Sequence, residues 1–258
     1  MKRMMIENTF QIAPGIGAKK ERDIWDSGVL TWDDFLCAEC ICGMKDDKKR
    51  RCDGYLEEAK VLLRGRDSRG LCDLLKKGEE WRLYGDFRND AAYLDIETDG
   101  LERDSLVTVV TVHRKNRTVT LTHGIDLDSE TLQDALDGCK LLITFNGKCF
   151  DVPVLRYSFP KVDLDMPHFD LRYGCAKLKM RGGLKPIERM VGISRDDDIL
   201  DVDGEEAVRL WKNWARRGDS ESLRILTEYN RADTINLETL SDIVYGRLVR
   251  EYAGFKDM

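Results

Sequence analysis

What this sequence has little of narrows it before any motif is sought. It holds only five prolines in 258 residues and no Ser- or Gln-rich tract, a composition that excludes a disordered chain. No apolar run approaches the roughly 20 residues needed to cross a bilayer, so no membrane association is expected. Basic residues Lys2 and Arg3 are not followed by an apolar core, so the start does not read as a secretory signal and a cytoplasmic protein is expected. Internal repeats, a Walker-type phosphate loop and any local Ser/His/Asp or Cys/His signature are also missing. A basic excess is lacking too: the formal charge is −6, which argues against a generally basic nucleic-acid binder.

What is there reads as folded and soluble, with 42% apolar and 35% charged residues. The length suits one domain of about 170 residues with a small appendage. Charge is uneven: residues 1 to 90 carry 18 basic and 18 acidic side chains, against 24 and 30 beyond, so the acidity sits wholly in the second part. Divalent cations would offset acids gathered in a site, so overall acidity leaves a phosphate-bearing substrate open. Local basic clusters (Lys48 to Arg51; Arg64, Arg66, Arg69; Lys177, Lys179, Arg181, Lys185) could contact phosphates or simply be solvated surface. Of eight cysteines, Cys37, Cys40, Cys42 and Cys52 fall within sixteen residues. Only Cys37 and Cys40 show Cys-x-x-Cys spacing, which leaves two readings, a zinc or iron-sulfur site and incidental free thiols.

Two regions follow from periodicity, residues 1–85 and 86–258. The first reads as short helices joined by turns. In Pro14-Gly15-Ile16-Gly17-Ala18-Lys19 a glycine turn opens a helix running to Trp25, closed by Ser27-Gly28 and followed by a second helical stretch from Val29 to Leu36. Glycines let backbone N–H groups approach a ligand and a helix N-terminus attracts anions, so Gly15, Gly17 and Lys19 are candidate phosphate contacts. The same turn could equally be a plain connection between packed helices. From Ala91 the pattern becomes β-branched and alternating: strands at Ala91 to Glu97, Leu106 to His113 and Thr118 to Thr122, joined by intervals short enough for antiparallel hairpins. A helix from about Ser129 to Asp137, capped by Asp128 or Ser129, leads to a buried strand at Leu141 to Phe145, which a helical crossover should place parallel to its neighbour. Helices are expected over Gly183 to Val191, Gly204 to Arg217 and Ser220 to about Val249, with Gly192 and Gly218 as stops.

Three places carry chemistry. Asp95 and Glu97, two apart in a strand, project from one face while Leu94 and Ile96 project from the other. Side by side they repel, and among apolar neighbours they call for a cation between them unless that face is wet. Asp151, in Phe145-Asn146-Gly147-Lys148-Cys149-Phe150-Asp151, follows the carboxyl end of the parallel strand, where open α/β sheets bind ligands, though a helix cap is its blander role. Asp233 lies in the stripe Leu226, Tyr229, Asp233, Leu237, Leu240, at spacings of 3, 4, 4 and 3, hence in mid apolar face. A carboxylate there must be neutral, ion-paired or metal-bound.

Taken together, Asp-x-Glu on the first strand, Asn-x-x-x-Phe-Asp after the fourth and Tyr-x-x-x-Asp on the last helix resemble the DEDD exonucleases, in the subtype with tyrosine before the final aspartate. More narrowly, with the glycine-turn preface, Trp81-Arg82-Leu83-Tyr84, His168-Phe169-Asp170-Leu171-Arg172 and Gly182-Gly183-Leu184-Lys185, the chain resembles the YprB-like ribonuclease H-like domain proteins from about Thr9 to about Tyr245. The resemblance implies an α/β fold with a mixed sheet, three antiparallel strands then parallel ones, flanked by helices and prefaced by a small helix-hairpin-helix-like module. It implies two divalent ions, with Asp95 bridging them, Glu97 and Asp233 completing the shell of the first, and Asp151 holding the second. Two ions about 3.5 to 4 Å apart stabilise both the attacking and the leaving oxygen of a phosphodiester, and hard oxygen ligands select magnesium or manganese. Tyr229 would orient the attacking water, or else be a core aromatic. Asn146, His168, Asp170 and Lys185 are candidates for substrate or supporting contacts. The implied activity is nucleic-acid hydrolysis from a 3′ end, single-stranded substrates foremost. A non-catalytic nucleic-acid-binding scaffold and a junction-specific endonuclease are the alternatives, and the sequence holds no derivation of DNA over RNA.

Overall fold

Helix signals in the first part of the chain are local and explicit. Gly17, in extended backbone, precedes α1 (Ala18–Asp26), and Thr31 forms a capping box with Asp34 at the start of α2 (Trp32–Cys37). α3 (Asp46–Arg64) has Asp46 and Asp47 in its first turn and Arg64 in its last, each complementing the helix dipole. At 19 residues it is not one of the short helices expected for this region. Its buried Cys52, Leu56 and Ala59 make one continuous apolar stripe, and its internal Gly54 lies on the exposed side, where it interrupts no packing. α4 (Ser68–Leu74), capped by Asp67, and the single turn α5 (Tyr84–Phe87) complete the region.

The computed structural model describes residues 6–115, 117–194 and 203–252. Lys2 and Arg3, weighed above as part of a possible leader, lie outside the described residues. Those described residues form two compact units, one running to Arg88 and resuming at Tyr245, the other spanning Asn89–Val244. In the first, Phe10, Ile16, Ile24, Trp32, Phe35, Leu56, Leu71 and Phe87 make the core. A buried carboxylate sits at its heart. Glu21 accepts hydrogen bonds from the Thr9 hydroxyl at 2.6 Å, the Phe10 amide at 2.8 Å and the Gln11 side chain at 2.6 Å, with the Arg82 guanidinium at 3.3 Å. That many donors make burial of the charge tolerable and knit the N-terminal strap onto α1. Trp81 and Tyr84 pack their rings against Tyr245, at 6.1 and 5.2 Å between centroids.

The second unit is built on a five-stranded sheet ordered β3-β2-β1-β4-β5. Strands β1 (Ala91–Thr98), β2 (Val107–Arg114) and β3 (Arg117–Thr122) are antiparallel neighbours, while β4 (Leu141–Thr144) runs parallel to β1 and β5 (His168–Asp170) parallel to β4. The expected mixed sheet is therefore the observed one. β5, only three residues long, was not foreseen, being too short to show alternation. Helices α6 (Ser129–Leu136), α7 (Asp151–Ser158), α8 (Leu171–Lys177), α9 (Leu184–Val191), α10 (Gly204–Arg217) and the part of α11 (Ser220–Tyr252) up to Val244 complete this unit. Gly192 and Gly218, at φ of 82° and 67°, end α9 and α10 as the sequence requires. No helix among the described residues is long and apolar enough to cross a membrane.

Alternation along β1 assigns its two faces to different cores. Ala92, Leu94 and Ile96 join Val110, Val112, Leu132, Leu136, Leu142, Val154 and Leu155 in the main core. Asp95 and Glu97 point the other way, where Val109, the cross-strand partner of Glu97, packs with Ala207, Leu210 and Trp211 of α10 and Leu226 and Tyr229 of α11. β4 pairs β1 only over Ala91 to Tyr93 and ends at Thr144, so the last four residues of β1 run past the end of their parallel neighbour. The carboxylates stand on that overhang.

Candidate active site

The overhang leaves backbone groups of β1 without a strand to pair with, and a side chain takes one of them. The Ile96 amide donates a hydrogen bond to the carboxyl of Asp151, the first residue of α7. Asp151 is thereby drawn to the stretch of strand that carries Asp95 and Glu97. The loop that delivers it, between β4 and α7, is held by three devices. Asp170, at the end of β5, accepts hydrogen bonds from the backbone amides of Asn146 at 2.8 Å, Lys148 at 3.0 Å and Arg172 at 3.0 Å. Asn146 sits at φ 72°, a left-handed conformation that asparagine tolerates, and its side-chain oxygen accepts from Arg172 at 2.5 Å. Gly147 passes so close to Thr144 that a Cβ there would lie 2.3 Å from the threonine hydroxyl.

From the other side α11 presents Tyr229, Asn230 and Asp233. Asp233 and Asp151 are buried, 5% and 4% exposed, and both act on the charge of Glu97. Burial first, then Asp233 and then Asp151, push the Glu97 carboxyl well above the usual carboxylate range, while the Asn230 amide and Lys185 pull it back. Burial is also the main cause of the raised pKa of Asp151, with Asp170 adding to it and the Ile96 amide opposing. Tyr229 feels burial, then Asp233, Glu97 and Asp95, and its hydroxyl donates to Asp233; all five influences hold its proton on, far above the ordinary range. Lys185, in the first turn of α9, stands 4.9 Å over the Tyr229 ring. Asn230, fully buried, donates from Nδ2 to Asp95 Oδ2 at 2.8 Å.

Asp95, Glu97, Asp151, Tyr229, Asp233 and Lys185, drawn from β1, α7, α9 and α11, thus meet in one electrostatic neighbourhood. Among the described residues no three His, Cys, Asp or Glu side chains are gathered tightly enough to enclose a metal ion, so the fit rests on the chemistry of the donor set. Acids that raise the proton affinity of Glu97 make a hard, oxygen-rich, negative donor set, which fits a divalent cation.

Other expected contacts stand elsewhere. Asp170 is 2% exposed, and its carboxylate is engaged by three amides, so it fastens the loop. His168 pairs its Nε2 with the Thr144 hydroxyl at 2.8 Å, and burial, with Lys148 and Arg156 nearby, pushes its pKa down to about 3, leaving a neutral ring. In the first unit, the Gly15 carbonyl accepts from Lys48 at 3.0 Å and the Ile16 carbonyl from Lys76 at 2.7 Å, while Lys19 is exposed beside them. That glycine turn follows the 3-10 turn Ile6–Asn8 and leads into α1. Cys37, Cys40 and Cys42 are exposed free thiols, Cys52 a buried one. Asn230 and the Ile96 amide were not singled out from sequence. Asn230 could have been, because the α11 stripe also reads Leu226, Asn230, Asp233, Leu237, a second polar group on the apolar face.

An α/β domain with a mixed sheet of ribonuclease H type and an acidic cluster at the overhanging end of its central strand defines the class. The chain belongs to the RNase_H superfamily, whose family model (RNase_H_2) matches residues 92–245. Membership supports nucleic-acid processing of a nuclease type, implies nucleic-acid binding, and brings the general use of divalent metal ions by nucleases of this build. A comparison with curated proteins gives no match. Among solved structures the chain is similar to the family B DNA polymerase from the hyperthermophilic archaeon Pyrobaculum calidifontis, at 13% identity and a TM-score of 0.48, over 63% of this chain and 25% of the polymerase. The match thus spans about a quarter of that protein's length.

Proposed function

We propose that this chain is a DEDD-type nuclease of the tyrosine subtype, YprB-like in its overall plan, that hydrolyses nucleic-acid phosphodiester bonds from a 3′ end. Asp95, Glu97, Asp151 and Asp233 would hold two divalent cations, magnesium or manganese. Bound there, the cations supply Lewis-acid stabilisation for the attacking and leaving oxygens. Tyr229 keeps its proton, so it cannot serve as a base; its hydroxyl, already donating to Asp233, can accept a hydrogen bond from the attacking water and fix its direction. Lys185, beside Tyr229 and Glu97, would meet a phosphate. In the first unit the lysines around Gly15 and Gly17 would steady the polymer through its backbone.

One observation carries this reading: carboxylates from β1, α7 and α11 converge, and each of Asp233 and Asp151 raises the proton affinity of Glu97. The test is incubation of the protein with end-labelled single strands, duplexes and RNA in manganese, beside Asp95→Ala. Stepwise shortening from the 3′ end, lost in the variant, is expected. Cleavage of a circular substrate would replace exonuclease by endonuclease, and equal activity of Asp95→Ala would remove the assignment.

A further inference from the structure

Asn230 is fully buried on α11, one position beyond Tyr229, in a site rich in acids. Its amide nitrogen donates to Asp95 at 2.8 Å, and its side chain also hydrogen-bonds Glu97. A carboxylate can only accept, and an –NH2 group carries two hydrogens, so a single asparagine serves both members of the Asp-x-Glu pair at once. The orientation leaves a residue of cost. Asn230 Oδ1 is buried and finds no hydrogen-bond partner among the described residues. A lone buried carbonyl is unfavourable, and an apolar side chain of the same shape would pack there without it. Helix formation does not ask for asparagine either, since its propensity is below that of leucine or alanine. Retention of the amide at this point therefore has to come from what its nitrogen does to the two carboxylates.

We propose that Asn230 is a positioning residue that orients Asp95 and Glu97 for the divalent cation. This rests on the metal-site reading above and adds to it a residue outside the carboxylate set. By holding one oxygen of Asp95 and engaging Glu97, the amide restrains the rotation of both carboxyl groups. Residues that hold the ligands of a metal in this way set its affinity, and their loss weakens binding 10- to 100-fold, roughly.

The test is manganese titration of the full chain by calorimetry, with melting in chelator recorded alongside, for the parent, Asn230→Ala and Asn230→Leu. Leucine restores the volume that alanine removes, and neither can donate. Positioning predicts that both variants melt cooperatively in chelator and that both bind manganese 10- to 100-fold more weakly, about equally. A loss in the alanine variant that leucine restores would assign Asn230 to packing and overturn the inference. Parent-like affinity in both, or failure of both to fold, overturns it as well. No manganese binding by the parent removes the metal site and this inference together, whereas a binding parent with unchanged variants removes this inference alone.

Discussion

Binding of a divalent cation to this site should release protons at neutral pH, and the number released can be counted. Glu97 and Asp151 are both held above the usual carboxylate range, chiefly by burial, with Asp233 raising Glu97 and Asp170 raising Asp151. A ligand must be deprotonated to bind, so each group that still carries its proton is displaced when the cation enters. For every proton displaced, affinity rises tenfold per pH unit until the pH passes that group's pKa in the cation-free protein, about 1.4 kcal/mol per unit. Between pH 6 and 8 the proton on Glu97, held to about 8, strengthens manganese binding up to about 100-fold, and that on Asp151, held to about 7, up to about tenfold more. Folding follows the opposite slope in chelator. A carboxyl whose folded pKa is raised contributes stability that is complete below its unfolded value, 4.5 for Glu97 and 3.8 for Asp151, and is lost as pH rises through the folded value. Melting in chelator should therefore fall through the neutral range, and the gap to the manganese-saturated curve should widen with pH. Calorimetry in two buffers of different ionisation enthalpy counts the protons directly. Ordinary solvated carboxylates release none at pH 7. A manganese Kd that agrees within threefold at pH 6 and pH 8, with the same apparent heat in both buffers, would refute the reasoning.

Three further outcomes follow from the same geometry. Asp233→Asn keeps an acceptor for the Tyr229 hydroxyl while removing the charge that acts most strongly on Glu97, so it should stabilise the protein in chelator by about 1 kcal/mol and abolish hydrolysis, measured by melting and by release of label. Tyr229→Phe should lower kcat about 100-fold with little change in KM, because it misplaces the water and leaves the substrate contacts alone; unchanged turnover would make Tyr229 a core aromatic. Gly147→Ala brings a Cβ against the buried Thr144, whose hydroxyl already serves His168 and the Gly147 amide. It should cost about 1 to 3 kcal/mol in melting experiments and reduce activity further by shifting the loop that ends at Asp151.

Legibility in the sequence tracked the length of each signal. Strands β1, β2 and β3 and helices α10 and α11 carry enough residues for alternation or helical spacing to show, and their expected and observed limits differ by about three residues or fewer. The three-residue β5 could not announce itself, because its register on β4 depends on partners twenty-odd residues away. Asp95, Glu97 and Asp233 were visible as charges out of place, on a strand between apolar neighbours and in mid helix face. Asp151 was less so. What fixes it is a backbone amide of β1, exposed only because β4 stops at Thr144, and no local pattern records where a neighbouring strand ends.

The same distinction separates the residues that touch the chemistry from those that hold it. Asp170 and His168 stood in one sequence motif of the resemblance, as candidates for substrate or supporting contacts. In the fold their polar atoms turn inward, Asp170 to three amides of the loop and helix beside it, His168 to Thr144. The loop needs them because it has to cross from the end of β4 to the start of α7 without secondary structure of its own, and its backbone donors must be satisfied somewhere. A carboxylate that closes such a loop is as constrained as one that binds a cation, and from sequence the two are indistinguishable. They separate by what faces them: three amide donors around Asp170, and around Glu97 the acids Asp233 and Asp151 beside the Asn230 amide and Lys185. Repulsion among like charges, kept buried, marks the part of this domain that folding alone does not explain.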